Sequence, residues 1–319
     1  MLRSFLIYLS KAAWAQRLVS GWKFAWKAAS RFVAGNTIED AIHAVRELNA
    51  NGINATLDHL GESTSTRAEA IKAADDIIEL LDQIQSSGVR ANVSVKLTQI
   101  GLDLDESLCD QNLERILGCA KGYKNFVRVD MEDTPYTDQT LRMFRLMREK
   151  GFLNTGIVVQ SYLYRTEKDT RELIQAGASF RLVKGAYKEP PEKAFPRKSD
   201  VDLNYDLLTR IMIDGAKAAG SPPISEDGRI PPIPAIGSHD PKRLEFAKTY
   251  AEKVSLPKQA VEFQMLYGIR RDLQEQYVKD GYPVRIYVPY GTHWYPYFMR
   301  RLAERPANVW FFISNFFRK

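Results

Sequence analysis

Eight times between about residue 53 and residue 305, a short β-rich run is followed by a longer helical run, and few folds accommodate that alternation. The strand-like runs are Asn54 to Leu57, Asn92 to Leu97, Phe126 to Asp130, Gly156 to Gln160, Phe180 to Lys184, Ile233 to Ile236, Val261 to Gln264 and Arg285 to Val288. The helix after the first spans Arg67 to Ile84, with Ala70, Ala74, Ile77, Ile78 and Leu81 at helical spacing before a Ser87-Gly88 stop. Others span roughly 106–121, 137–149, 167–176, 200–219, 241–253, 270–279 and 295–305. An open doubly wound sheet alternates in the same way. Eight consecutive units without a Gly-rich first turn favour closure into an α/β fold of the (β/α)8 TIM-barrel type.

The chain divides into a helical extension over 1–50, a barrel over 51–308 and an aromatic tail over 309–319. A length of 319 residues suits one such barrel, and 45% hydrophobic with 26% charged residues suits a globular interior. The net charge of +6 is spread without a long basic run, which argues for a mixed solvated surface and against a nucleic-acid partner. Cys109 and Cys119 lie ten apart in one helix without metal-ligand spacing, and read as reduced packing residues of a cytoplasmic protein. No metal site is expected. The first 32 residues set Phe5, Trp14, Trp22 and Trp26 among Lys11, Arg17, Lys23 and Lys27, with no apolar run long enough to span a bilayer. That pattern suits both an interfacial segment at a membrane surface and helices packed under a barrel. The Pro-rich stretches 190–199 and 220–234 read as loops beside the barrel.

Loops after the strands of a barrel form its catalytic face. The strand ends carry Asp58 and His59, Lys96, Asp130, Gln160, Arg181 with Lys184, Ser238 with His239, Gln264, and Tyr287. A lysine within VSVKL or FRLVKG must point into the mouth and meet an anion or a partner, such as Lys96 with Asp130, because an unpaired buried charge is costly. In the last helix, YPYFMRRLAE, Arg300 and Arg301 could clamp a carboxylate, with Glu304 holding one of them or Lys96. A surface ion pair between Arg300 and Glu304 is the plainer alternative.

Seven ordered blocks, VSVKLTQIG, FVRVDMED, GIVVQSYLYR, FRLVKGAYKEP, IGSHD, EFQMLYG and RIYVPYGTHWYPYFMRRLAERPAN, together resemble the flavin-dependent proline dehydrogenases. The resemblance implies a distorted (β/α)8 barrel that holds FAD through Asp130, the backbone at Met131, Gln160, Arg181, Lys184, Gly185, Ala186, Ser238 and His239, with Gln264 against the cofactor. It implies that Lys96, Arg300 and Arg301 hold the carboxylate of L-proline while Tyr287 packs on its ring. Hydride transfer to flavin N5 would give Δ1-pyrroline-5-carboxylate, with Asp130 and Arg181 as catalytic residues. The reduced flavin would pass its electrons to a membrane quinone, which gives the N-terminal segment and the tail a role as a peripheral contact at the inner face of the cell membrane, although the aromatic tail suits a cap on the barrel bottom or an oligomer interface equally well.

The long bifunctional members carry Trp after GAY where this chain has Lys188, so the chain resembles the short monofunctional branch. A separate pyrroline-5-carboxylate dehydrogenase is then expected downstream. Two other readings compete: a Schiff-base aldolase using Lys184, and a non-catalytic barrel at a membrane surface.

Overall fold

A computed structural model describes residues 23–304, Glu62 excepted, together with Leu6, residues 8–10, Ala12, Trp14 and Ala15. Eight parallel strands close into a barrel in chain order: β1 Asn54–His59, β2 Ala91–Val95, β3 Val127–Val129, β4 Thr155–Gln160, β5 Ser179–Val183, β6 Pro234–Gly237, β7 Glu262–Leu266 and β8 Val284–Tyr290. β1 pairs with β8 to complete the ring, with Thr56 opposite Tyr287. All eight expected strands are present, with ends shifted by a few residues: β3 stops at Val129, one before Asp130, and β8 runs on to Tyr290.

The helices are α1 Lys23–Ala29, α2 Ile38–Ala50, α3 Arg67–Ser87, α4 Glu106–Gly122, α5 Thr134–Glu149, α6 Thr166–Gln175, α7 Lys198–Ala218, α8 Pro241–Lys253, α9 Arg271–Lys279 and α10 Trp294–Glu304. Their ends follow local chemistry. Thr37 with Asp40 and Thr66 with Glu69 close capping boxes at the starts of α2 and α3, which satisfies backbone N–H groups that no helical turn can reach. Gly88, at φ 66°, ends α3 in the left-handed conformation.

Strand register sorts the side chains by face. Leu57, Val93 and Val127 are register partners in one row and belong to the apolar layer between sheet and helices. The alternate row, Asp58, Ser94 and Arg128, faces the barrel lumen, as do Arg181, Glu262, Gln264, Arg285 and Tyr287. The lumen is therefore polar and the outer layer dry. Beneath the barrel, Arg285 donates to Gly228 O and Asn92 to Arg229 O, so the second Pro-rich loop passes under the strands and plugs the bottom.

The last helix departs from a regular barrel. α2, which precedes β1, packs on β1 and β8 and fills the wall where a final helix would lie. α10 instead packs against α1 and a cluster of Phe32, Leu60 and Ile269, two of which follow β1 and β7 at the rim. It thus lies across the mouth. Leu6, Ala15, Ala25 and Ala29 of the extension are buried in the same cluster, so these described N-terminal residues pack over the rim rather than under the barrel. Tyr8 and Trp14 are exposed. No helix among the described residues is long and apolar enough to cross a membrane. The tail 309–319 lies outside the described residues.

Candidate active site

A chain of charged hydrogen bonds crosses the mouth. Lys96, just past β2, places Nζ 3.0 Å from both carboxylate oxygens of Asp58 at the end of β1. Asp130 Oδ2 is 3.9 Å away, so the partner expected from sequence is secondary to Asp58. Lys96 also donates to Tyr287 Oη at 3.4 Å, and Tyr287 donates to Asp130 Oδ2 at 2.7 Å. Arg181 donates from Nη1 to Asp130 Oδ1 at 3.2 Å and from Nε to Gln264 Oε1 at 2.6 Å. Its guanidinium lies 5.3 Å from the centre of the Tyr287 ring, a cation–π contact. Burial, and then the Asp130 and Asp58 carboxylates, push the Tyr287 phenol well above its ordinary range, so it stays a neutral donor.

Above this chain is a cavity of ≈ 160 Å³ whose walls include Lys96, Gly61, His293, Pro296, Tyr297 and Arg300. α10 supplies the last three, which is the consequence of its lying across the mouth. Arg301 is buried and its guanidinium stacks 4.9 Å from the centre of the Tyr297 ring. Two of the expected carboxylate-binding cations, Lys96 and Arg300, therefore share one small cavity, and Arg301 backs its wall. The Glu304 side chain lies outside the described residues.

On the β3 to β7 side, Gln160 donates to Met131 O and Glu132 O, both at 3.4 Å. Its Oε1, and Nη2 of Arg181, are buried and meet no partner among the described residues. Unmet donors and acceptors of this kind fit a polar, planar ligand at the mouth. Gly185, at φ 113°, lies where a Cβ would come 2.3 Å from the Tyr162 ring, so the backbone past β5 keeps a close approach open. Ala186 follows in the same turn. Ser238 Oγ accepts from Asp240 N, and His239 Nε2 accepts from Leu266 N at 2.9 Å, which fixes its ring. The donor set as a whole suits a flavin ring with an anionic pyrophosphate.

Lys184 departs from expectation. Its Nζ does not reach into the lumen but lies 2.6 Å from Asp202 in α7 and 2.6 Å from Asp240 at the cap of α8. Burial is the largest single influence and acts to raise both carboxyls, yet the hydrogen bonds and charges around them, led by Lys184 and joined by Lys198, together outweigh it and hold each below its usual range. The Schiff-base reading loses its lysine to this clamp. Tyr297, His293 and Pro296 were not singled out from sequence. Tyr297 stands three and four residues before the paired arginines, and that helical spacing was the available signal.

The fold and site define a (β/α)8 barrel enzyme whose last helix roofs a small cation-lined cavity at a polar mouth. Residues 41–313 match the family model for proline dehydrogenase, and the chain belongs to that family. It is 38% identical to "Proline dehydrogenase 2" of Bacillus subtilis over 99% of each chain. It is 42% identical to "Proline dehydrogenase" of Deinococcus radiodurans over 91% of this chain and 90% of that one. Among solved structures, proline utilization A from Bdellovibrio bacteriovorus, inactivated by N-propargylglycine, superimposes with a TM-score of 0.78 at 28% identity. That match covers 88% of this chain and 33% of the longer protein, so the chain spans about a third of it.

Proposed function

We propose that the barrel mouth holds FAD and L-proline together, and that the chain oxidises proline to Δ1-pyrroline-5-carboxylate. As a proline dehydrogenase by family, it carries out the first step of proline catabolism. The observation that carries the site assignment is the shared cavity: Lys96 and Arg300 line one small space, and Lys96 joins it to the Tyr287–Asp130 pair by its hydrogen bond to Tyr287. A carboxylate between those cations leaves the pyrrolidine ring against Tyr287 and Tyr297, and fixing it there supplies much of the rate. Arg301 keeps the Tyr297 wall in place, and Glu304 would hold one of the two arginines or Lys96.

Met131, Gln160, Arg181, Gly185, Ala186, Ser238, His239 and Gln264 would hold the FAD, while Lys184, engaged by Asp202 and Asp240, would brace the end of β5 beside it. When bound, the flavin supplies the hydride acceptor at N5. Arg181 presents a fixed positive charge beside it, and Asp130 holds Arg181 and Tyr287 in place. Proline gives up a hydride from the ring CH2 next to nitrogen and its ammonium proton, and the proton leaves through solvent or the Asp130 network.

Residues 51–308 carry the site residues of this reading; the expected boundary at 50 shifts, because α2 (Ile38–Ala50) is part of the barrel wall, which leaves 1–37 and 309–319 as attachments. Electrons pass on to a membrane quinone; exposed Tyr8 and Trp14 beside the basic N-terminal residues support a peripheral contact at the inner face of the cell membrane. The product goes to a separate pyrroline-5-carboxylate dehydrogenase. The purified protein should be yellow and should bleach on anaerobic addition of proline. A folded, colourless protein that takes up no flavin overturns the reading. Sedimentation with anionic vesicles, absent with neutral ones, tests the membrane contact.

A further inference from the structure

Glu262 lies deep in the lumen, fully buried, two residues before Gln264 on the same face of β7. It touches neither the cavity nor the mouth. Arg285 donates to both of its carboxylate oxygens from Nε at 3.0 Å, and is itself tied down by hydrogen bonds to Ala55 O and Gly228 O. The remaining contact runs upward: Gln264 Nε2 donates to Glu262 Oε2 at 2.5 Å, and Gln264 Oε1 accepts from Arg181 Nε at 2.6 Å.

The chemistry of this order allows only one arrangement. A carboxylate can only accept, so the amide of Gln264 must turn its NH2 down toward Glu262. Its carbonyl oxygen then necessarily faces up, where Arg181 can only donate. With the amide flipped, two donors would meet at Arg181 and two acceptors at Glu262. The anchored Arg285–Glu262 pair thereby dictates, through one amide, where Arg181 sits at the mouth.

We propose that Glu262 is a positioning residue for the reaction: acting through Gln264, it fixes the placement of Arg181 beside the flavin. The proposal rests on the reading of Arg181 as a flavin contact. Its test therefore begins with wild-type protein, whose failure to bind FAD would overturn that reading and not the relay.

The experiment compares Glu262→Gln, Gln264→Leu and the double variant in FAD-loaded protein, reading the flavin reduction potential and visible spectrum beside the kcat and KM for proline. Glu262→Gln can donate as well as accept, so the amide of Gln264 loses its orientation and Arg181 its fixed site. A positive charge held near reduced flavin favours reduction, so the potential should fall. kcat should fall about tenfold, within the loss that a small misplacement of a positioned group produces, with less than a twofold change in KM. If Glu262 acts through Gln264, the double variant should be no worse than Gln264→Leu alone. Losses that multiply, or a potential and spectrum unchanged in Glu262→Gln despite a lower melting temperature, would show a purely structural ion pair and overturn the proposal. If Glu262→Gln strands the Arg285 charge and does not fold, Glu262→Gln/Arg285→Met removes both charges and is read against the same two outcomes.

Discussion

Tyr287 donates its phenolic proton to Asp130 Oδ2 at 2.7 Å, joining β8 to the loop after β3 across the barrel mouth. The phenol is buried and kept neutral, so it remains the donor in this bond. Tyr287→Phe retains the ring and its contact with Arg181 but removes a donor to a buried carboxylate. That should cost about 1.5–3 kcal/mol, since hydrogen bonds to charged groups are the stronger kind. Melting temperature should fall, and kcat/KM for proline should fall about tenfold as Asp130 and Arg181 relax. Unchanged kinetics would exclude a role for the bond at the site.

Lys96 and Asp58 form a pair in which both side chains are nearly inaccessible, at 10% and 1%. Removing one member leaves the other as an uncompensated buried charge, at about 3–5 kcal/mol. Lys96→Met should therefore destabilise strongly as well as raise the proline KM, whereas Lys96→Met/Asp58→Asn should recover much of the stability and none of the affinity. Thermal melts and steady-state kinetics on both variants separate the two roles. Recovery of affinity in the double variant would remove Lys96 from the carboxylate site.

Gly185 combines a φ of 113° with a Tyr162 ring where a Cβ would stand. Tyr162 is itself buried and its hydroxyl donates to Glu189, so the ring has little room to yield. Gly185→Ala should cost about 1–3 kcal/mol in backbone strain alone and displace the turn that carries Ala186. FAD affinity should drop at least about tenfold, each 1.4 kcal/mol being worth that factor. Fluorescence titration of apoprotein with FAD checks this, and wild-type affinity would show that the turn does not approach the cofactor.

The barrel was legible because eight short β-rich runs, each followed by an amphipathic helix, leave few other folds open. The mouth was legible because charged residues at the ends of such runs have few places to go. What register decides was not. Lys96 lies two residues past Ser94, whose register partners are Asp58 on one side and Arg128, two before Asp130, on the other. Which neighbour it meets depends on the tilt of the strands. Asp202 and Asp240 sit 18 and 56 residues from Lys184, and only the packing of α7 and α8 brings them to it. α10 is amphipathic whether it lies on the wall or over the mouth, so its place, and Tyr297 with it, emerged only when α2 was found on the wall.

The lumen and rim hold several buried phenols whose ionisation folding opposes. Burial pushes Tyr205, Tyr162, Tyr290 and Tyr287 above their ordinary range, with nearby carboxylates adding to the effect. In the folded protein these groups keep a proton that the unfolded chain releases near pH 10. Stability from this source is complete below about pH 10 and is lost as pH rises above it, because the unfolded state then binds fewer protons. Melting temperature should therefore be flat from neutral pH to about 9 and fall steeply beyond 10. Tyr290 isolates the effect: its hydroxyl is buried with no partner among the described residues, while its ring stacks on His59 at 5.1 Å. Tyr290→Phe keeps the stack and removes a desolvated hydroxyl, so stability at pH 7 should hold or rise by about 1 kcal/mol. The alkaline fall should also become shallower. Differential scanning fluorimetry across pH 7 to 11 measures both, and a loss of several degrees at pH 7 would mean that the hydroxyl is bonded after all.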